Sequence, residues 1–514
     1  MYIEALARNL PDGVPWLSLT WLITLAAALV IMVLPRQKKE AMRWVATIAS
    51  GLSLLITLLL YFSYNLNDPG YRGLGLQFVE RLPWMPQLGI SYLVGADGIN
   101  LPMLILTGFI IFTGSLISWN IEERTKEYFV LLLLLVTGVY GVFMALDLFL
   151  FFVFYELAVL PMYLLIGVWG STRKEYGAMK LTLYLMAGSA AVIIAMVAVY
   201  FGSGMRTFDM VELALFGRFT REFQALFFLP MFLGFAVLAG MFPFHTWSPT
   251  GHVAAPTAVS MLHAGVLMKL GSYGALRAAM WLMPEGAQLW LPWIAIITVA
   301  NVVYGATIAM VQRDFKFVIG YSSVSHMGLV VMALATMNTI GLSGAVLQMF
   351  AHGIMTGLFF AVVGRMVYDR THTRQFPELG GLAKVMPFAA VLFVIGGLSS
   401  MGMPGFAGFI AEFNIFIGVW ERYPLIAIIA ALSIPITAAY VLRVTYLVFF
   451  GEVKDPHFLD LPPLTGREKF AGAMLAAILI LVGVYPTIMT DMAADGVTEI
   501  VARLQQAAQG LALR

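Results

Sequence analysis

The sequence predicts an all-α polytopic membrane protein with about fourteen transmembrane helices, on three observations. Of 514 residues, 61% are hydrophobic and only 11% are charged, whereas soluble domains run at roughly 45–50% apolar and about 25% charged. The apolar residues come in unbroken runs of about 20, the length that crosses a hydrocarbon core. Those runs lack the every-second-residue alternation of a membrane β-barrel. The same figures exclude a soluble globule, a disordered chain and a nucleic-acid binder. There is too little polar surface to cover a soluble fold of this length, and a net charge of +2 supplies no basic footprint for nucleic acid. Zero Cys removes disulfide frameworks, thiol catalysis and iron–sulfur ligation.

In order, the runs fall near 16–35, 44–64, 98–119, 127–146, 148–170, 178–202, 223–247, 254–281, 290–311, 315–336, 341–367, 387–418, 423–450 and 470–490. The first follows a polar, Pro-containing segment and has no small-residue cleavage site, so it reads as a span and not as a cleavable signal peptide. The fourth and fifth are separated only around Asp147. Between spans, the longest polar stretches (65–97, 203–222 and 451–469) are each too short to build a core of their own.

Lys and Arg set the expected orientation. Alternate loops around 36–43, 120–126, 171–180, 312–316, 365–384 and 451–469 hold 18 of them. The remaining loops and ends hold nine: Arg8, Arg72, Arg81, Arg206, Arg218, Arg221, Arg422, Arg503 and Arg514. The richer set is placed inside, and with fourteen spans both termini then lie outside.

An ionisable group at membrane depth costs at least a few kcal/mol, so each is a functional candidate. Glu156 stands in FYELAVLPMY, Lys269 in HAGVLMKLGSYG and Glu412 in GFIAEFNIF. Four of the seven His (His245, His263, His326 and His352) also fall in spans, and His252 lies beside a broken one. The plain alternative for each is a structural hydrogen bond between helices. Carboxylate, amine and imidazole together, each able to change protonation state at low dielectric, make the set a proton relay.

Two spans carry helix breakers. One reads MFPFHTWSPTGHVAAPTA, with Pro243, Pro249 and Pro256; the other reads SSMGMPGFAGF, with Gly402, Pro404, Gly405 and Gly408. Proline removes a backbone donor and clashes with the preceding turn. Non-helical backbone at membrane depth is tolerated where it is buried in protein or lines a wet cavity. The seventh and twelfth spans are five apart, and an odd offset reverses direction through the membrane. That arrangement fits inverted repeats with discontinuous helices near an ion path. The chain has no Walker-type glycine loop to make it an ATP-driven subunit. A haem site using His326 and His352 is the rival reading, and the accompanying Lys and Glu favour proton transfer.

Several stretches together resemble one family. GADGINLPMLILTG, DLFLFFVFYELAVLPMYLLIGVWG, FPFHTW, LHAGVLMKLGSYGALR, GYSSVSHMGL, QMFAHGIMTGLFF, YDRTHTRQFPELGGL and GMPGFAGFIAEF are similar to the antiporter-like membrane subunits of respiratory NADH–quinone oxidoreductase (complex I), of the M type. The resemblance implies fourteen helices with two inverted five-helix repeats, spans 4–8 and 9–13. The chain then divides into residues 1–126, 127–281, 290–450 and 451–514. It implies a subunit that passes protons across a bacterial plasma (inner) membrane, driven by quinone reduction elsewhere. Flavin, iron–sulfur clusters and quinone are expected in partner subunits, with no cofactor or metal in this chain. Its partners are expected to be L- and N-type antiporter-like neighbours and lipids. Glu156 matches the fifth-span glutamate, Lys269 the eighth-span lysine, His326 and His352 the relay histidines of spans 10 and 11, and Glu412 the twelfth-span group near the exit. Glu412 also separates the M type from the L and N types, which carry Lys there.

One departure stands out. The family usually places a lysine in the seventh span, paired with the fifth-span glutamate; the matching position here is Leu238. The usual proline two residues on is Gly240, and the usual aspartate after the tryptophan is Thr250. A lysine in reach favours a charged glutamate, so Glu156 needs another partner. Two readings follow. Either a His such as His263, about 9 Å before Lys269 along the helix axis, supplies the charge, or the half-channel is weakened and the subunit is partly structural. A related subunit of a multisubunit cation/proton antiporter or of a membrane-bound hydrogenase is the alternative host, and a non-transporting scaffold the alternative role.

Overall fold

Long apolar runs have no way to satisfy their backbone polar groups in lipid except as helices, and helices dominate the fold. A computed structural model describes residues 10–11 and 13–512. Arg8 and Arg514, and the chain ends used in the orientation argument, lie outside the described residues. Among the described residues, eleven helices are long and apolar enough to cross a membrane, or twelve when the bent pair Gly466–Val484 and Thr487–Leu511 is counted as one span. The most enclosed is Thr339–Thr371, which runs through the centre of the bundle.

The apolar runs that do not yield one clean span are the interrupted ones. Run 223–247 becomes helix Arg221–Ala239, an irregular turn, and the short helix Trp247–Ala254. Run 387–418 becomes Pro387–Ser400 and Ala407–Arg422, neither of which reaches the ~20 residues a crossing needs. Run 254–281 is helical from 257 to 280, but two π-helical stretches, His263–Leu267 and Ala275–Met280, flank Met268–Gly274. The boundary at Asp147 is a helix cap: its Oδ1 accepts from the backbone N–H of Phe149 (2.9 Å) and Leu150 (3.1 Å).

Two elements go beyond the span pattern. Strands Gln77–Met85 and Ile90–Ala96 pair antiparallel inside the 65–97 stretch, turning at Gly89. After Pro486 the chain bends by 73°, and helix Thr487–Ala512 lies across one end of the bundle. Tyr64 Oη donates to Asp495 (3.1 Å), Gln288 Nε2 to Leu504 O (2.8 Å) and Arg503 to Ala214 O.

The two loop sets separate in space. Arg36 pairs with Glu127 (3.0 Å), Lys39 with Glu122 (2.9 Å), Arg370 with Glu468 (2.7 Å), and Arg374 donates to Thr172 (2.9 Å). Lys39 and Arg43 beside Glu122 hold its carboxyl below the usual carboxylate range. At the other end, Arg81 pairs with Asp209 (3.1 Å), Arg72 with Glu212 (3.3 Å), and Arg422 donates to Gln288 (3.3 Å).

Candidate proton path

The break in the seventh run is built by a side chain from another helix. Helix Arg221–Ala239 stops because Gly240 takes φ 76°, a conformation that a β-carbon disfavours. Asn301 then serves the freed backbone: its Nδ2 donates to Gly240 O and Val324 O (both 3.1 Å), and its Oδ1 accepts from Phe242 N. Trp247 Nε1 donates to Val237 O (3.0 Å). Thus polar groups exposed by the break are paired inside protein, as membrane depth requires.

Lys269 is fully buried, and the π-helical stretch before it explains how an amine is accommodated. The N–H of Met268 reaches back five residues to His263 O, where a regular α-helix would use Ala264 O. Ala264 O instead accepts from Lys269 Nζ. The same nitrogen lies 2.7 Å from His352 Nδ1 on helix Thr339–Phe360.

From there the polar groups continue without a gap of more than one ring. The His352 and His326 rings are 5.5 Å apart at their centroids. His326 Nδ1 faces Glu412 Oε1 at 3.2 Å and Gln348 Nε2 at 3.3 Å, and its Nε2 lies 3.1 Å from Ser400 Oγ. Ser400 ends helix Pro387–Ser400, so the second break delivers a hydroxyl to the path. Glu412 lies beyond that break and borders a cleft of about 500 Å³ whose walls include Phe409, Phe413, Phe416 and Trp420.

A second group of histidines sits nearer the Lys/Arg-rich end. His252 and His263 rings are 4.0 Å apart, His263 stacks on Trp247 (5.2 Å), and His252 Nε2 lies 3.1 Å from Ser248 Oγ. His245 packs against Phe242 and Tyr304, with neither ring nitrogen hydrogen-bonded.

Around Glu156 the picture differs. Its Oε1 is buried with no hydrogen-bond partner, and it forms no ion pair among the described residues. Neither His263 nor His245 is bonded to it. Leu238 is fully buried, facing the Lys269 helix at Gly271, where an added β-carbon would come within 3.0 Å of the Leu238 carbonyl carbon. The three helices meet through rings: Phe151 and Phe235 (5.5 Å), Tyr155 and Phe235 (6.1 Å), Phe151 and Tyr273 (6.2 Å).

Five participants escape a reading of the sequence. Gln348, Ser400 and Asn301 are polar but un-ionised, and nothing marks them in a span. Asp97 and Arg277 form an ion pair in which both are buried, and Arg277 lies over the Tyr273 and Trp281 rings. Their signal is present, since each is a charge at the edge of an apolar run.

Comparisons with known proteins bear on the fold and the family. Residues 145–437 match the family described as "NADH:quinone oxidoreductase/Mrp antiporter, TM". The chain is 38% identical to NADH-quinone oxidoreductase subunit M of Rhodobacter capsulatus, covering 94% of this chain and 96% of that one. It is 36% identical to NAD(P)H-quinone oxidoreductase chain 4 of Gloeobacter violaceus, covering 93% and 91%. Among solved structures, a chain of respiratory complex I from Thermus thermophilus with bound NADH superposes with a TM-score of 0.85 at 27% identity, covering 96% of this chain and 99% of that one. A chain of the Mrp complex from Dietzia sp. shares the fold at a TM-score of 0.82 and 20% identity, covering 95% and 99%. By the extent of the family match and of the sequence identity, the chain belongs to the antiporter-like transmembrane family of NADH:quinone oxidoreductase, in its subunit M branch.

Proposed function

We propose that this chain is a proton-translocating membrane subunit of a bacterial NADH–quinone oxidoreductase, in which protons pass along Lys269, His352, His326 and Glu412. The observation that carries this reading is the unbroken succession of titratable groups from a buried lysine to a glutamate beside a cleft. Each step is one hydrogen bond or one ring-to-ring gap, and such groups exchange protons by rotation or through a bridging water. Quinone reduction and the flavin, iron–sulfur and quinone sites belong to partner subunits, with L- and N-type subunits as membrane neighbours. The chain crosses the plasma membrane fourteen times when interrupted helices are counted, as two inverted repeats, with both termini outside.

The absence of a bonded partner for Glu156, with Leu238 at the usual lysine position, favours a division of labour. The Glu156 half acts weakly, and the Lys269 half carries most of the proton traffic. The test is the whole complex in proteoliposomes, comparing Lys269→Ala and Glu156→Gln. The expected result is a lower proton-to-electron ratio for K269A and a ratio near wild type for E156Q. An unchanged ratio in both variants overturns the pumping role.

A further inference from the structure

At the Lys/Arg-rich end, a groove of about 430 Å³ lies between helices Trp16–Val33, Thr125–Met144 and Leu148–Trp169. Its rim holds Arg36, Arg124 and Lys126 against a single carboxylate, Glu127. Glu127 is bonded to Arg36 at 3.0 Å, and among the described residues Arg124 and Lys126 form no ion pair. Arg124 is held at φ 51°, exposed, with its guanidinium 5.7 Å from the Trp169 ring centroid. Trp169 is in turn fixed by donating Nε1 to Glu123 O at 2.8 Å. Lys126 Nζ donates to Leu34 O at 2.9 Å and has further N–H donors to offer. A second space of about 440 Å³ shares this rim and adds Lys39.

Below the rim the groove changes character. Its wall is Leu131, Leu164 and Trp169, and the strip continues along exposed Leu160. From Trp169 to Leu160 is nine residues, about 13.5 Å of helix, close to one leaflet of hydrocarbon. Cations at the interface with a greasy strip beneath them match a molecule that is an anion at one end and an alkyl chain at the other. Free phosphate leaves the strip unused. We propose that this groove binds an anionic phospholipid, its phosphate on Arg124 and Lys126 and an acyl chain along Leu131, Leu164 and Leu160.

The test is native mass spectrometry of the whole complex in detergent, titrated with phosphatidylglycerol or phosphatidylcholine. Each cation removed is expected to weaken binding about fivefold, so Arg124→Gln with Lys126→Gln is expected to weaken phosphatidylglycerol retention roughly 25-fold. The charge-keeping R124K/K126R is expected to retain it, as is R313Q at an exposed arginine elsewhere on the same end. Unchanged retention in R124Q/K126Q, or an equal loss in R313Q, overturns the proposal. Displacement of the phospholipid by inorganic phosphate at the same concentration overturns it in favour of a free anion. Should R124Q/K126Q not assemble, Leu164→Glu at the exposed wall is the second variant; full retention there also overturns the proposal.

Discussion

Two regions of the bundle treat their ionisable side chains in opposite ways. Around Lys269 the side chains of Lys269, His326 and Glu412 each meet a polar neighbour, and the backbone forms a π-turn whose freed Ala264 carbonyl accepts from the Lys269 amine. Around Glu156, Oε1 meets no polar partner, and the neighbouring rings of Phe151 and Tyr155 pack against Phe235. Hydrocarbon packing is the cheaper solution for stability, because a buried ion pair must offset two desolvation costs. The region that keeps its ionisable groups is the one in which they touch.

The comparison can be broken most decisively at Lys269. K269A is expected to lower proton transfer through the subunit by a factor of about 10² or more, read as ΔpH formation per quinone reduced. Glu412→Gln is expected to cost roughly tenfold in the same assay, because a carboxamide accepts a hydrogen bond from His326 but takes up no proton. Leu238→Lys sharpens the other side: the lone buried lysine costs about 2.5–3.5 kcal/mol unless it pairs with Glu156. A pairing lysine makes L238K/E156Q less stable than L238K by about 3–5 kcal/mol in a thermal melt; equal stability shows that no pair forms. Asn301→Ala is expected to lower stability by about 1–3 kcal/mol through the groups it leaves unpaired at the Gly240 break. Smallest of all, E156Q is expected to change proton transfer by less than about twofold, as for a substitution of under ~0.5 kcal/mol.

What is legible in the sequence follows from contrast. Glu156, Lys269, Glu412 and the histidines stand out because an ionisable group in an apolar run is its own signal. The breaks at Pro243 and Pro404 are legible because proline and glycine act locally. Adjacency is not: His352 and Lys269 are 83 positions apart, and Asp97 and Arg277 are 180 apart, so only the packed bundle brings them together. Asn301 is invisible for the same reason, since its task is set by a backbone 59 to 61 residues away. The hairpin Gln77–Met85 and Ile90–Ala96 is hidden because its alternation is short and broken by register shifts. The helix after Pro486 is hidden because hydropathy reports that a run is greasy but not that it turns by 73°.

That last helix has a mechanical consequence. By its bonds to Tyr64, Ala214 and Gln288, one continuous rod is riveted to the second span, to the loop before the seventh and to the start of the ninth. Moving Ala214 relative to Gln288 would have to break one of those bonds or bend the rod.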